Sequence, residues 1–432
     1  MRVTDLVHGL IGLDPPVRVE AYDGSATGPR SAETTIAVRS PDALRRILGA
    51  PGELGFARAY IAGDIDVDGS IFDVLDLRDR VASPSLGLRE AAAVVRLLGQ
   101  NLKPPPPPET EFVPRGRRHG RARDRSVISY HYDVANEFYM SFLGSTLTYS
   151  CAVFENDGQG LEDAQRNKYE LICRKLDLRP GMRLLDIGCG WGGMVLHAAL
   201  HHGVSAVGVT VSSEQASLAR RRIRAAGLDR QVEIRLQDYR DVADGPFDAI
   251  SSIGMFEHVG LARIKTYVGR LHSQLREGGR FLNHAISRPR HQRARLPRRS
   301  FVNRYVFPDG ELHEVGTVVT AMAEAGFETR HVESLREHYA RTLRHWVTNL
   351  ESNWDDAVAA AGPMRARAWR LYMAGSALNF EANRTGIHQV LVTATGTTGV
   401  AGMPWRPGWD REPLQPQIDL RETHPRERSV SN

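Results

Sequence analysis

The stretch Leu184-Leu185-Asp186-Ile187-Gly188-Cys189-Gly190-Trp191-Gly192-Gly193 constrains this 432-residue chain more than any other. Arg183 to Ile187 is a short apolar run with an acid near its end, and it reads as a buried parallel strand. Four glycines follow within six residues. They let the backbone turn tightly and approach a ligand with no Cβ in the way. Met194 to Leu200 then has helical spacing. Strand, glycine turn and helix in this order place a ligand at the carboxyl edge of a parallel sheet. The turn is not the G-x-G-x-x-G of a dinucleotide site, and it lacks the Lys-Ser/Thr of a P-loop. On this stretch alone, a turn for some other nucleotide is the alternative.

The pattern repeats downstream. Strands are expected at 206–211, 232–236, 247–253 and 280–286, the last after the Gly278-Gly279 turn, with helical spacing between them. Alternation of this kind predicts an α/β fold whose mostly parallel sheet has right-handed crossovers. Residues 327–335 and 389–393 supply the final strands.

Upstream, residues 1–100 read as a small N-terminal α+β domain. Its strands are expected at 17–22 and 34–38. One helix over 40–48 carries Pro41 in its first turn, and another ends at Gly63. Pro104 to Pro108 form a stiff polyproline spacer within a Pro/Arg-rich linker, 101–125. The catalytic domain is expected over 126–395, and 396–432 as a polar, frayed tail. The aromatic segments 130–139 and 149–154 precede the first strand of the sheet and read as a lid over the site.

Composition bounds the function. Hydrophobic residues at 41% and charged residues at 25% are ordinary globular values, so two cored domains fit the length. No apolar run is long enough for a membrane span. Met1 to Asp5 lacks the layout of a signal peptide. Cys151, Cys173 and Cys189 have neither disulfide nor zinc spacing, so no metal is expected. A cytoplasmic, reduced protein is the reading. The net charge of +5 is uneven: 115–125 holds six arginines and 288–304 seven more. Such clusters suit phosphates, of nucleic acid or of an anionic membrane surface, or serve as solubilising charge. The strip beside the proline run favours peripheral contact with the inner face of a membrane.

Several motifs stand in one order: Tyr130-His131-Tyr132-Asp133, Tyr149-Ser150-Cys151, the glycine turn, Gly254-Met255-Phe256-Glu257-His258-Val259-Gly260 and His284-Ala285-Ile286. Together they resemble the cyclopropane-fatty-acyl-phospholipid synthases, which are class I S-adenosylmethionine-dependent methyltransferases. The resemblance spans about residues 126 to 393, and the N-terminal unit is similar to the accessory domain of bacterial members. It implies a Rossmann-like sheet and methyl transfer from S-adenosylmethionine to the double bond of an unsaturated phospholipid acyl chain. It also implies a bound bicarbonate that takes a proton from the transferred methyl. Carried over by residue, the cofactor site comprises Tyr149, Ser150, Asp186, Gly188, Gly190, Thr210, Gln215, Asp238, Tyr239 and Ile253. Thr210 stands where most class I methyltransferases have an acid. The bicarbonate pocket comprises Cys151, Glu257, His284, Ile286 and Tyr339. His284, Tyr339 and backbone N–H groups near Cys151 and Ile286 are the expected donors, and Glu257 is expected to orient His284 or share a proton with the anion.

Taken singly, each residue has a plain structural reading: Cys151 a small buried group, His284 a core histidine, Tyr339 a helix aromatic, Glu257 a cap. Ring closure with proton loss gives a cyclopropane, and a hydride shift first gives an exocyclic methylene. The segments 283–289 and 295–304 resemble actinobacterial members that make 10-methylene or 10-methyl stearoyl lipids, whose partner is a flavin-dependent reductase. Self-association stays open. The rival function is a nucleic-acid methyltransferase, although Gly254-Met255-Phe256-Glu257 carries neither an Asn/Asp-Pro-Pro-Tyr motif nor a cysteine nucleophile. A catalytically dead lipid-binding module is a third reading, and the intact acid and donor positions argue against it.

Overall fold

The computed structural model of the chain describes residues 2–5, 16–80, 103–113, 135–289, 299–397 and 399–409, with positions 123, 127, 130, 292 and 297. Two compact units emerge, and they are not consecutive in sequence. Residues 1–113, 297–308 and 350–378 form one; 114–296, 309–349 and 379–432 form the other.

In the first unit β1 (Arg18–Ala21), β2 (Ala26–Thr27), β3 (Thr35–Val38) and β4 (Ile65–Asp68) pair in the order β2-β1-β3-β4. Helices α1 (Asp42–Gly49) and α2 (Glu53–Ala62) lie between β3 and β4 in the chain. Helix α2 buries Leu54, Ala57, Tyr60 and Ile61 and stops at Gly63, whose φ of 81° few other residues adopt. The proline run does not stand off as a spacer. Arg46 Nη1 donates to the Pro106 carbonyl at 2.6 Å, and a Cβ on Gly49 would meet Pro104 at 2.7 Å. Arg58 grips Glu111 through two hydrogen bonds of 2.8 Å. Prolines keep their carbonyl acceptors and lose little entropy on docking, so a stiff run packs readily. Residues 350–378 join the unit through Arg370, which donates to Tyr60 Oη at 3.0 Å and to Glu351 at 2.6 Å. The arginines of 115–121 and residues 131–133 lie outside the described residues.

The second unit carries helices α3 (Asn136–Leu143), α4 (Leu161–Leu176), α5 (Gly193–His202), α6 (Ser213–Ala225), α7 (Ile264–Gln274), α8 (Val315–Glu324) and all but the last turn of α9 (Arg336–Ser352). Its strands are β5 (Arg183–Ile187), β6 (Ser205–Thr210), β7 (Val232–Leu236), β8 (Phe247–Ile253), β9 (Leu275–Ser287), β10 (Phe327–Ser334) and β11 (Gly386–Ala394). They form one sheet, ordered β10-β11-β9-β8-β5-β6-β7. From β7 to β9 every pairing is parallel. Strand β11 is antiparallel to both β9 and β10. Strand β9 starts before the expected glycine turn and absorbs it as an irregularity in its pairing with β8. Chain order reverses between β5 and β8, which opens a crevice beyond their carboxyl ends.

Helices cover the sheet because their apolar residues recur on one face. Helix α7 buries Ile264, Tyr267, Val268 and Leu271, the i, i+3, i+4, i+7 stripe. They pack with Leu185, Ile250, Phe281 and Val390, and each such side chain stabilises the fold by about 1.5–3 kcal/mol. Of the two aromatic segments expected as a lid, the described residues 135–139 and 149–154 are mostly core instead. Phe138, Tyr139 and Phe142 are wholly buried. Tyr139 meets Trp191 at 4.9 Å and Tyr149 stacks on Trp346 at 5.2 Å. Aromatic rings bury the most area when packed on each other, and here the glycine turn and α9 supply the partners. The expected tail is likewise held as far as 409. Ala401 and Gly402 carbonyls accept from Thr393 (3.0 Å) and Arg280 (3.2 Å), and Trp409 is buried against His331. One large aromatic anchors a stretch that looks polar on average. Residues 410–432 lie outside the described residues. Among the described residues no helix is long and apolar enough to cross a membrane.

One glycine of the turn is required by space. A Cβ on Gly193 would lie 2.2 Å from Tyr169 Oη, and that hydroxyl is fixed by Thr148 Oγ1 at 2.8 Å. Gly193→Ala is therefore expected to destabilise the protein by about 1–3 kcal/mol, read as a lowered thermal midpoint. An unchanged midpoint would show that α4 yields freely.

Candidate active site

Strand β5 ends in a turn that the next strand holds in place. The amides of Gly188 and Cys189 both donate to the Val209 carbonyl, at 2.9 and 3.0 Å. Gly190 has φ 54°, and a Cβ there would meet nothing within 4 Å, so its backbone borders open space. Buried Arg222 of α6 donates to the carbonyls of Trp191 (2.8 Å) and Thr146 (3.2 Å), tying the turn to the segment that carries Tyr149 to Cys151. Trp191 Nε1 donates to Asn136 Oδ1 at 2.8 Å.

The turn borders a cavity of about 340 Å³, and all ten residues expected of a cofactor site line it: Tyr149, Ser150, Asp186, Gly188, Gly190, Thr210, Gln215, Asp238, Tyr239 and Ile253. Asp186 accepts from Ser251 Oγ at 2.7 Å, and burial pushes its carboxyl up to about 6. Thr210 Oγ1 donates to Gln215 Oε1 at 2.9 Å, which turns the amide nitrogen away from Thr210. A neutral hydroxyl–amide pair thus stands at the end of β6. Asp238 caps the short turn Tyr239–Asp241 and pairs with Arg240 at 2.6 Å.

Sequence reasoning missed Lys168, Tyr169, Met255 and His258, which also line the cavity. For Lys168 a signal existed. Ala164, Lys168 and Ile172 fall on one helical stripe of α4, where a lysine is out of place unless it has a ligand or partner. Its ammonium donates to Ser150 Oγ at 2.9 Å and sits 3.9 Å over the Tyr169 ring. Burial lowers its pKa to about 7.

Cys151, Glu257, His284 and Tyr339 are buried and Ile286 is half-buried; Cys151 follows and Glu257 precedes a cavity residue in the chain. Glu257 lies on the short turn Phe256–His258 after β8. Its Oε1 accepts from the Ile286 amide at 2.7 Å, while Oε2 is buried without a partner. Burial pushes its carboxyl up to about 7. His284 shares a face of β9 with Ile286. Gln389 of β11 lies opposite His284 in register. Its Oε1 accepts from Lys175 at 2.7 Å, so its amide nitrogen faces His284 Nδ1, at 3.2 Å. Nδ1 is then the acceptor and the proton sits on Nε2, which is buried with no partner. Burial, reinforced by the Lys168 and Lys175 charges, keeps this imidazole neutral.

A chain of contacts joins the rest. Ile286 pairs with Ile387, whose carbonyl accepts from the Leu335 amide at 3.0 Å. The Leu335 carbonyl accepts from the Cys151 thiol at 3.7 Å and from the Tyr339 amide at 3.1 Å. Burial pushes the Cys151 thiol up, so it stays protonated and serves as a small packed donor. Tyr339 is buried against Phe380 at 4.8 Å. Two expectations need correction. Gln389, not Glu257, orients His284, because β11 adds beside β9 in that register. The Ile286 amide is engaged by Glu257, so His284 Nε2–H is the open donor.

Elsewhere, ligand-type atoms of Cys173, His197 and His202 lie within 4.8 Å of one another. Glu170 organises them: it accepts from both imidazoles, at 3.3 and 3.0 Å, and from Arg174 at 2.9 Å.

A family model described as mycolic acid cyclopropane synthetase matches residues 119–390. A probable fatty acid methyltransferase of Mycobacterium tuberculosis is 45% identical over 406 residues, 91% of this chain and 95% of that protein. A cyclopropane-fatty-acyl-phospholipid synthase of Escherichia coli is 34% identical over 364 residues, 84% of this chain and 88% of the synthase. A mycolic acid cyclopropane synthase crystallised with S-adenosylhomocysteine and CTAB superposes with a TM-score of 0.58 at 32% identity. The match covers 62% of this chain and 97% of that one.

The Glu257 environment has a stability signature. Burial holds its folded pKa at about 7, above the ordinary glutamate range. The carboxyl therefore favours the fold below the unfolded pKa, and the advantage is lost as pH rises through the folded one. Relative to Glu257→Gln, the wild type should lose up to about 3 kcal/mol between pH 4.5 and 7.5, measured by denaturant unfolding of both proteins. A pH-independent difference would mean that Glu257 ionises as it does in water.

Proposed function

The chain belongs to the mycolic acid cyclopropane synthetase family of S-adenosylmethionine-dependent enzymes that modify fatty acyl chains, and from that premise we propose its substrate, base and product. The substrate is a membrane phospholipid bearing an oleoyl-type chain, and the acceptor is that chain's double bond. Bicarbonate is the base. The product is a 10-methylene acyl chain, which a flavin-dependent reductase converts to the methyl branch; a cyclopropane is the alternative product. The relative at 45% identity is named a fatty acid methyltransferase and the one at 34% a cyclopropane synthase, which favours the branched product.

One observation carries the reading. Glu257 Oε2 and His284 Nε2 are buried polar atoms with no partner in the described protein, and each would cost about 1–3 kcal/mol if left so. A small ligand that both accepts from His284 and exchanges a proton with Glu257 satisfies them, and bicarbonate has that donor and acceptor set. The cavity beside the glycine turn suits a nucleoside with an amino-acid tail. When bound, S-adenosylmethionine supplies the methyl group and bicarbonate supplies the base that removes its proton.

The chain's own residues do the rest. An alkene attacks weakly and leaves a cation that water would quench, so the site must be dry. Phe138, Tyr139, Phe142, Trp191 and Trp346 back that region and are almost wholly buried. Ring faces tolerate nearby positive charge. His284, held neutral with its proton on Nε2, positions the oxyanion without competing for the proton. Glu257, poised near neutrality, accepts a proton at Oε2 and returns it to solvent. Neither Cys151 nor Tyr339 needs to ionise. Peripheral membrane contact through the basic segments completes the reading.

Oleoyl phospholipid vesicles with labelled S-adenosylmethionine provide the test. Labelled lipid whose mass and fragmentation match a methylene or cyclopropane product is expected; turnover on RNA instead would replace the reading with nucleic-acid methylation. Glu257→Gln and His284→Ala should each reduce turnover by about 100-fold or more with cofactor affinity nearly unchanged. Loss of cofactor binding would move both residues into the wrong site.

A further inference from the structure

Lys168 is unexplained by the reaction described above. Its side chain is wholly buried on α4, with Ser150 Oγ at 2.9 Å and the Tyr169 ring at 3.9 Å. Among the described residues no carboxylate forms an ion pair with it. Asp186, which acts on it electrostatically, is hydrogen-bonded to Ser251. A buried ammonium with only a hydroxyl and a ring for company either sheds its proton or takes an anionic ligand.

We propose that Lys168, with Ser150 beside it, binds the carboxylate at the amino-acid end of S-adenosylmethionine. The inference rests on placing that cofactor in the cavity. The walls of the cavity differ in charge. Gln215, Asp238 and Tyr239 offer an amide, an acid and an aromatic face, which suit hydroxyls and a purine. Of the other cations that line it, Arg240 is engaged by Asp238 at 2.6 Å, and Arg263 is exposed. Lys168 is the buried one, and it adjoins the glycine turn at Asp186 and Gly188. The pairing also has an electrostatic purpose. A bare ammonium would repel the sulfonium, whereas one neutralised by the cofactor's own carboxylate does not.

Proton linkage follows. In the free protein burial lowers the Lys168 pKa to about 7, and an adjacent carboxylate raises it. Cofactor binding at pH 8 then takes up close to one proton. The titratable groups that face Lys168 keep their state at that pH: Asp186 is ionised, and Cys151, Tyr169 and His284 are neutral.

The experiment is calorimetric titration of wild type and Lys168→Met with S-adenosylhomocysteine and with 5′-methylthioadenosine, which lacks the amino-acid end. Lys168→Met should weaken S-adenosylhomocysteine binding by roughly 10–100-fold and leave 5′-methylthioadenosine binding unchanged. Equal losses for both ligands, or no loss for either, overturn the proposal. So does unchanged S-adenosylhomocysteine affinity with a raised bicarbonate requirement for turnover, which would assign the cation to the oxyanion. Wild-type protein that binds neither ligand sinks the cofactor placement itself. Should Lys168→Met fail to fold, wild-type titrations at pH 8 in buffers of different ionisation enthalpy decide. Proton uptake with S-adenosylhomocysteine but not with 5′-methylthioadenosine supports the pairing, and no uptake with either refutes it.

Discussion

The Val209 carbonyl takes two amide protons at once, from Gly188 and Cys189. That shared acceptor fastens the glycine turn to the end of the neighbouring strand, and the site is built outward from it. The turn leaves the backbone bare toward the crevice. Arg222 then joins it to the Tyr149–Cys151 segment, and Trp191 joins it to α3. Tight turns without such anchors fluctuate; here three elements restrain a glycine-rich loop, so the floor of the cavity is preorganised.

Around this floor the protein buries groups that water would otherwise solvate. Asp186 and Glu257 are pushed up by desolvation, while Lys168 and His284 are pushed down. None of the four pairs with an opposite charge in the described protein; each meets a neutral donor, acceptor or ring. Such an arrangement lowers stability and leaves these groups responsive to a charged or polar ligand. The parallel sheet and its apolar helices supply the excess burial that makes the arrangement tolerable.

Much of the second unit was legible from one-dimensional pattern. Buried parallel strands are short, apolar and evenly spaced, so β5 to β9 announce themselves, and the glycines mark the turn that borders the cavity. The ten positions expected of a cofactor site line one cavity. The misreadings share a cause. Local composition misleads for the aromatic segments 130–139 and 149–154, the proline run and the stretch up to Trp409, because their partners lie far away in the chain: Trp346 for Tyr149, Arg46 for the prolines, His331 for Trp409.

By itself the sequence determined the sheet, the position of its glycine turn and the chemistry available at each site residue. Those properties follow from spacing and side-chain type within short windows. Only the tertiary structure decided which atoms remain open. The register of β11 on β9 sets Gln389 against His284 and so chooses the tautomer. The turn after β8 delivers Glu257 to the Ile286 amide, and α4 inserts Lys168 beside Ser150. Hydrogen bonds are directional over a few ångströms, and no linear pattern encodes which distant groups will satisfy one another.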